Sequence, residues 1–252
     1  MTKDYFNLAG KRALVTGASS GLGAHFARVL ARHGAHVIAA ARRKEALESL
    51  ADAIRAEGGT CDACQLDVTD SASIRELAPY LDGLDILINN AGMVRPGASL
   101  NLPEEDWDAM LDTNLKGLFL MAQAAARAMV AAGKGGSIVN IASILGLRQG
   151  SGVMPYAVSK AGAVQLTKQL ALEWARHGIR VNALAPGYLA TELNGNFWET
   201  EPGQAMIRRI PQRRLGQLHD LDAPMLLMAS DAAPYMTGSV LTVDGGHMLS
   251  TL

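Results

Sequence analysis

What the chain has little of narrows it first. Two cysteines, Cys61 and Cys64, stand in 252 residues, too few for the disulfide framework of a small secreted scaffold. They lie three apart in a β-rich run, which turns them to opposite faces of a strand. No second Cys-x2-Cys accompanies them, and the six histidines are scattered without ligand spacing, so no metal site is expected. His247, after the final Gly-Gly, is expected to be solvated. Neither sign of charge dominates, with 23 Lys and Arg against 24 Asp and Glu. That balance excludes a dedicated nucleic-acid binder and a polybasic membrane-surface protein. The most apolar long window, 117–133, is interrupted by Gln123 and Arg127 and falls short of the roughly 20 residues of a membrane span. The first dozen residues mix acid and base without an apolar stretch, unlike a secretory signal. A cytoplasmic protein is expected, with no membrane or nucleic-acid partner.

What is present is a 49% hydrophobic chain with alternating element types. Short β-rich runs at 12–16, 36–40, 60–66, 84–88, 137–141, 180–184 and 239–243 are separated by stretches of helical spacing such as 24–33 and 44–57. Strands alternating with helices predict a parallel sheet. Runs such as Ala13-Leu14-Val15-Thr16 are apolar throughout, as in strands covered on both faces. The expected fold is α/β: a Rossmann-type doubly wound parallel sheet of about seven strands with helices on both faces, as a single domain over 1–252. The irregular stretch at about 188–217 reads as a substrate lid.

The first run leads into Gly17-Ala18-Ser19-Ser20-Gly21-Leu22-Gly23 and then a helix. Glycine lets backbone turn sharply against a ligand, and the helix start presents N–H groups and a positive dipole end to a diphosphate. The spacing is G-x3-G-x-G, and no Gly-Lys-Ser/Thr follows to make a P-loop. The second run ends Ala41-Arg42-Arg43 with no carboxylate. An acid there would bond a ribose hydroxyl, whereas a guanidinium suits a 2′-phosphate. NADP(H) is therefore preferred over NAD(H), although Ser20 stands where a further basic group would have strengthened the reading.

Tyr156 and Lys160 are one turn apart on a helix beginning near 155. An ammonium near a phenol is expected to lower the tyrosine pKa, giving a general acid/base for an alcohol or ketone oxygen. Ser143, at a strand end, can hold that oxygen, and Asn114, at a predicted helix bend, can carry a water toward Lys160.

In order and spacing these residues resemble the short-chain dehydrogenase/reductase family over essentially the whole length. The matching motifs are Thr16-Gly17-x3-Gly21-x-Gly23, Asn89-Asn90-Ala91-Gly92, Asn114, Ser143, Tyr156-x3-Lys160, Pro186-Gly187 with Thr191, and Val243-Asp244-Gly245-Gly246. The resemblance implies that Asn114, Ser143, Tyr156 and Lys160 form a catalytic tetrad. It places Asp67 and Val68 at the adenine, and Asn89, Ala91 and Gly92 behind the cofactor. It lays the 181–191 segment, with Pro186, Gly187 and Leu189, along the nicotinamide, and gives Thr191 its carboxamide. Tyr156 and Lys160 also meet the cofactor, Lys160 through the ribose. A homotetramer built through helices at about 105–133 and 155–177 is implied as well.

Candidate pocket residues follow the strand ends: Val94, Arg95, Ile144, Leu145, Gln149, Val153 and Tyr188, with Leu193, Phe197, Trp198 and Met206 in the lid. This mix suggests a medium-sized, largely apolar ketone or alcohol. A 3-oxoacyl thioester or a sugar is the alternative within the family, and a silent nucleotide-binding scaffold the alternative outside enzymes.

Overall fold

The computed structural model describes residues 4–190 and 197–249. Among them seven parallel strands form one sheet in the order β3-β2-β1-β4-β5-β6-β7. The strands are β1 Arg12–Thr16, β2 His36–Ala41, β3 Thr60–Gln65, β4 Ile86–Asn89, β5 Gly136–Ile141, β6 Ile179–Pro186 and β7 Val240–Val243. Each predicted run became a strand, within about two residues at its ends.

Side-chain alternation makes two cores from one sheet. Ala13, Val15, Val37, Ala39 and Ile88 face one layer, built from α1 (Gly21–Arg32), α2 (Lys44–Ala56) and α9 (Asp222–Ala229). Leu14, Ile38, Leu87, Ile138 and Val181 face the other. That layer holds α3 (Ser71–Glu76), α4 (Ala78–Leu81), α6 (Leu118–Ala132) and α7 (Met154–Trp174). Two further helices are α5 (Glu104–Leu111) and α8 (Glu201–Arg209). Cys61 packs in the first core and Cys64 in the second. Burial pushes both thiols up to about 11.

Two stretches differ from the sequence expectation. The helix expected at 105–133 bends at Asn114 as anticipated, and the bend is a π-helical turn at 112–117 through which α5 passes into α6. The whole helical segment Glu104–Ala132 is long and apolar enough by composition for a membrane span, which the 117–133 window by itself did not suggest. It packs Met121, Ala122, Ala125 and Met129 against the sheet with no exposure. The irregular 188–217 stretch contains α8, capped by Thr200 Oγ1 accepting from Gly203 N at 3.3 Å. The ends of that stretch are pinned together: Gly216 N donates to Tyr188 O, and Ala190 N to Gly216 O, both at 2.9 Å.

Strand order reverses between β1 and β4, and in open α/β sheets ligands bind at the carboxyl ends of strands beside such a reversal. The ends of β1, β4, β5 and β6 carry Thr16, Asn89, Ile141 and Pro186.

Candidate active site

β1 delivers Thr16 to the turn, and Thr16 Oγ1 accepts from both Asn90 N and Ala91 N at 3.0 Å. Asn90 Nδ2 donates back to Thr16 O at 3.0 Å. The glycine turn is thereby bolted to the end of β4. At Gly23 a Cβ would stand 2.3 Å from Gly17 O and 2.6 Å from Asn90 Nδ2, so only glycine lets α1 approach this closely. α1 starts with no side-chain cap and no acid in its first turn, leaving its amide end and dipole for an anion. Leu22 behind it is partly buried against the core. Asn89 is structural in its contacts: buried, it donates to Leu118 O at 2.7 Å and Asn140 Oδ1 at 3.2 Å.

The end of β2 brings its guanidinium groups to this turn. Arg43 donates through Nη2 to Ser19 Oγ at 3.0 Å and Ser20 Oγ at 2.7 Å. A cation thus reaches Ser20 from another element, although residue 20 itself is not basic. Arg42 is exposed and acts on Asp67. Asp67 sits below its ordinary pKa: burial opposes this, but bonds from Thr69 N and Oγ1 and the charge of Arg42 outweigh it. Val68 turns its side chain into the core against the position of Gly117. Amides at a helix start, two hydroxyls and two guanidinium groups without a carboxylate in the turn fit a dinucleotide carrying an extra phosphate. Pro186 is buried at the end of β6, and Gly187 N donates to Val243 O at 2.9 Å. Leu189 is partly buried, while Thr191 and Leu193 lie outside the described residues.

The four reactive candidates converge at the ends of β5 and α7. Ser143 caps a short helical turn, accepting from Leu145 N at 3.1 Å, and its hydroxyl is close enough to Tyr156 to pull the phenol's pKa down. Lys160 is 4% exposed; its Nζ donates to Ile141 O at 2.7 Å and lies 5.7 Å from the Tyr156 ring centroid. Burial lowers its pKa to about 8. The expectation that Lys160 lowers the Tyr156 pKa does not hold in this state. Burial raises Tyr156, the Ser143 bond pulls it down, and Tyr188 raises it further. The physical reason is that desolvation of the phenolate outweighs its stabilisation, the ammonium being spent on a carbonyl.

Asn114 is fully buried and its amide is nearly saturated. Oδ1 accepts from Met93 N at 2.8 Å, and Nδ2 donates to Met93 O at 2.8 Å and Ser159 Oγ at 3.1 Å. One lone pair of Oδ1 remains for a water. Gly92 lies beside it: a Cβ there would sit 3.3 Å from Asn114 Oδ1 and 3.6 Å from Lys160 Nζ. Met93 and Ser159 were not singled out in the sequence, because backbone partners and a helix serine carry no spacing signal.

Of the pocket candidates, Val94, Leu145, Val153 and Met206 are partly buried and Gln149 is exposed. Ile144 is buried in the protein, and Arg95 is held by Asp106 at 2.5 Å. Tyr188 stacks edge-on to Trp198 at 5.3 Å, and Trp198 to Phe197 at 5.1 Å. His247 is 7% exposed, contrary to the solvated residue expected, because its ring packs on Tyr188 at 5.4 Å. Arg148, absent from the sequence candidates, donates to His247 O and acts on Tyr188.

The model of the family described as enoyl-(acyl carrier protein) reductase matches residues 17–248. The chain is 39% identical over 256 residues to gluconate 5-dehydrogenase of Gluconobacter oxydans (strain 621H), covering 98% of both chains. It is 43% identical to a short-chain type dehydrogenase/reductase from Mycobacterium marinum, with a TM-score of 0.91 and coverage of 97% and 98%. The chain belongs to the short-chain dehydrogenase/reductase family. A gluconate 5-dehydrogenase from Burkholderia cenocepacia J2315, solved in complex with NADP and tartrate, is 38% identical with a TM-score of 0.93, covering 98% and 99%.

Proposed function

We propose that this protein is an NADP(H)-preferring oxidoreductase that interconverts a secondary alcohol and a ketone. The observation that carries the reading is the convergence of Ser143, Tyr156 and buried Lys160, whose Nζ lies 5.7 Å from the Tyr156 ring centroid, at the same strand ends as the uncapped glycine turn. The dinucleotide, when bound, supplies the hydride chemistry. It is held by α1's amide end, by Arg43 with Ser19 and Ser20, and by Arg42 beside Asp67. Ser143 donates a hydrogen bond to the substrate oxygen. Tyr156 gives its proton to that oxygen during reduction and takes it back during oxidation. Lys160 remains an ammonium at neutral pH, and its positive charge beside the ring opposes the desolvation that disfavours the deprotonated tyrosine. Asn114 fixes the Met93 backbone and leaves a lone pair for a proton-relaying water.

The segment 188–217 acts as the cover of the substrate; its pinned ends support this. An apolar ketone draws support from the Tyr188–Trp198–Phe197 wall, whereas Arg148 in the same wall favours a polar ligand. A 3-oxoacyl thioester or a sugar is the alternative within the family. The retained Ser143, Tyr156 and Lys160 weigh against a silent scaffold. A cytoplasmic homotetramer is the assembly proposed, since α7 leaves Val158 and Leu172 exposed on its outer face.

Tyr156→Phe tests the reading. Turnover falls by three orders of magnitude or more while NADPH affinity, read by cofactor fluorescence, stays within a few-fold; full turnover in the variant would sink it. Arg42→Asp combined with Arg43→Asp is expected to move preference from NADPH to NADH by at least tenfold in kcat/KM.

A further inference from the structure

The aromatic wall around Tyr188 holds two polar donors that the proton chemistry leaves unused. Arg148 follows the short helical turn Ile144–Gly146, with its amide fixed to Ile144 O at 2.8 Å. One of its guanidinium nitrogens donates to His247 O, and its charge acts on the side chains of both Tyr188 and His247. Tyr188 in turn acts on Tyr156, so this guanidinium is one side chain removed from the proposed proton donor. A single carbonyl bond leaves most of the fork free.

The second donor is Trp198. Its Nε1 is buried and has no hydrogen-bond partner among the described residues. Its ring lies edge-on to Tyr188 at 5.3 Å. Its backbone is held firmly, with Trp198 O accepting from Gln204 Nε2 at 2.7 Å. A buried N–H without an acceptor is unfavourable, a deficit that a ligand oxygen would relieve.

The local charge points the same way. Arg209 also acts on His247, and the run Arg208-Arg209-Ile210-Pro211-Gln212-Arg213-Arg214 contains four arginines and no acid. Arg214 is bound to Asp220 at 2.6 Å. Asp244, the acid facing His247, spends its carboxylate on Gly246 N and Met248 N at 2.9 and 2.7 Å. No carboxylate cancels Arg148 among the ion pairs of the described residues.

We infer that the substrate is a small hydroxy- or oxo-carboxylate whose carboxylate docks on Arg148 and Trp198 while its reacting oxygen meets Ser143 and Tyr156. The inference rests on the oxidoreductase reading and replaces its apolar substrate. Arg148 supplies a planar fork that matches a carboxylate, which lysine cannot reproduce. Trp198 adds a neutral donor in an apolar wall.

Calorimetric titration with tartrate, a hydroxy-carboxylate probe, tests this in the presence of saturating NADP. The wild type binds tartrate, and Arg148→Gln weakens that binding at least tenfold while NADP affinity stays within twofold, which certifies the fold. Arg148→Lys recovers only part of the loss, and Trp198→Phe, which keeps a ring but removes the N–H, weakens binding several-fold. Equal tartrate affinity in wild type and Arg148→Gln overturns the inference, as does a wild type that binds NADP but not tartrate. Tyr156→Phe separates the two readings. Tartrate binding retained with turnover lost supports both, whereas turnover retained in Tyr156→Phe refutes the proton role and leaves the tartrate titration to decide Arg148.

Discussion

Lys160 illustrates how a reactive residue is held at a cost to stability. It is an ammonium with 4% exposure, one carbonyl acceptor and no counter-carboxylate among the described residues, and burial brings its pKa from 10.5 to about 8. Because the folded pKa is depressed, the fold disfavours the charged form. The penalty is complete below about pH 8, declines as pH rises, and is gone above the unfolded value of 10.5. At 1.36 kcal/mol per unit it is on the order of 3 kcal/mol, partly offset by the bond to Ile141 O. Lys160→Met is therefore expected to lack turnover yet melt a few degrees higher than wild type at pH 7, with the gap narrowing by pH 10. A lower melting temperature at pH 7 would show that the carbonyl bond outweighs desolvation. The Tyr–Lys spacing was readable in the chain, but the sign of the Tyr156 shift was not, since it depends on burial and on where the ammonium points.

Among the elements, the π turn at 112–117 decides most. Its wider turn places Asn114 inward, where one side chain satisfies Met93 on β4's exit loop and Ser159 on α7. A bend was expected at Asn114, but its hydrogen-bond partners are remote in sequence. Asn114→Ala leaves Met93 N and O and Ser159 without those partners, at roughly 1–3 kcal/mol for each group that water cannot reach. The expected outcome is a loss of about 3 kcal/mol in denaturant unfolding together with a fall in kcat larger than any change in KM. Unchanged stability would mean that water replaces the amide. α8 was missed for a different reason: its Arg, Pro and Gly content argues for a loop, whereas Thr200 as cap and Pro202 in the first turn are the helix-start signals that outweigh it.

For the whole molecule, the sheet divides two cores, and the two thiols report one from each side. Cys61 and Cys64 are 2% and 6% exposed, and both ionise near 11, so neither reacts readily in the folded protein. If the chain melts as one unit, both thiols become reactive at a single denaturant midpoint that coincides with loss of helical circular dichroism. Two separated midpoints would show the faces unfolding independently and count against a single domain. The proposed tetramer of 26.6 kDa chains is checked by light scattering, with Leu172→Glu on the exposed face of α7 expected to lower the assembled mass.

The linear sequence by itself determined the seven strands, their parallel arrangement, the glycine turn and the Tyr156–Lys160 pair. Period-two and 3.6-residue patterning and short spacings are local properties. Family membership was legible in the same motifs. Only the tertiary structure decided what depends on distant segments meeting. Arg43 reaches Ser20 from the end of β2, Asn114 ties Met93 to Ser159, His247 is buried on Tyr188, and Arg148 stands in the aromatic wall. These contacts join residues from about 20 to 100 positions apart. Burial, which sets the pKa of Lys160 and raises that of Tyr156, arises only once both faces of the sheet are covered.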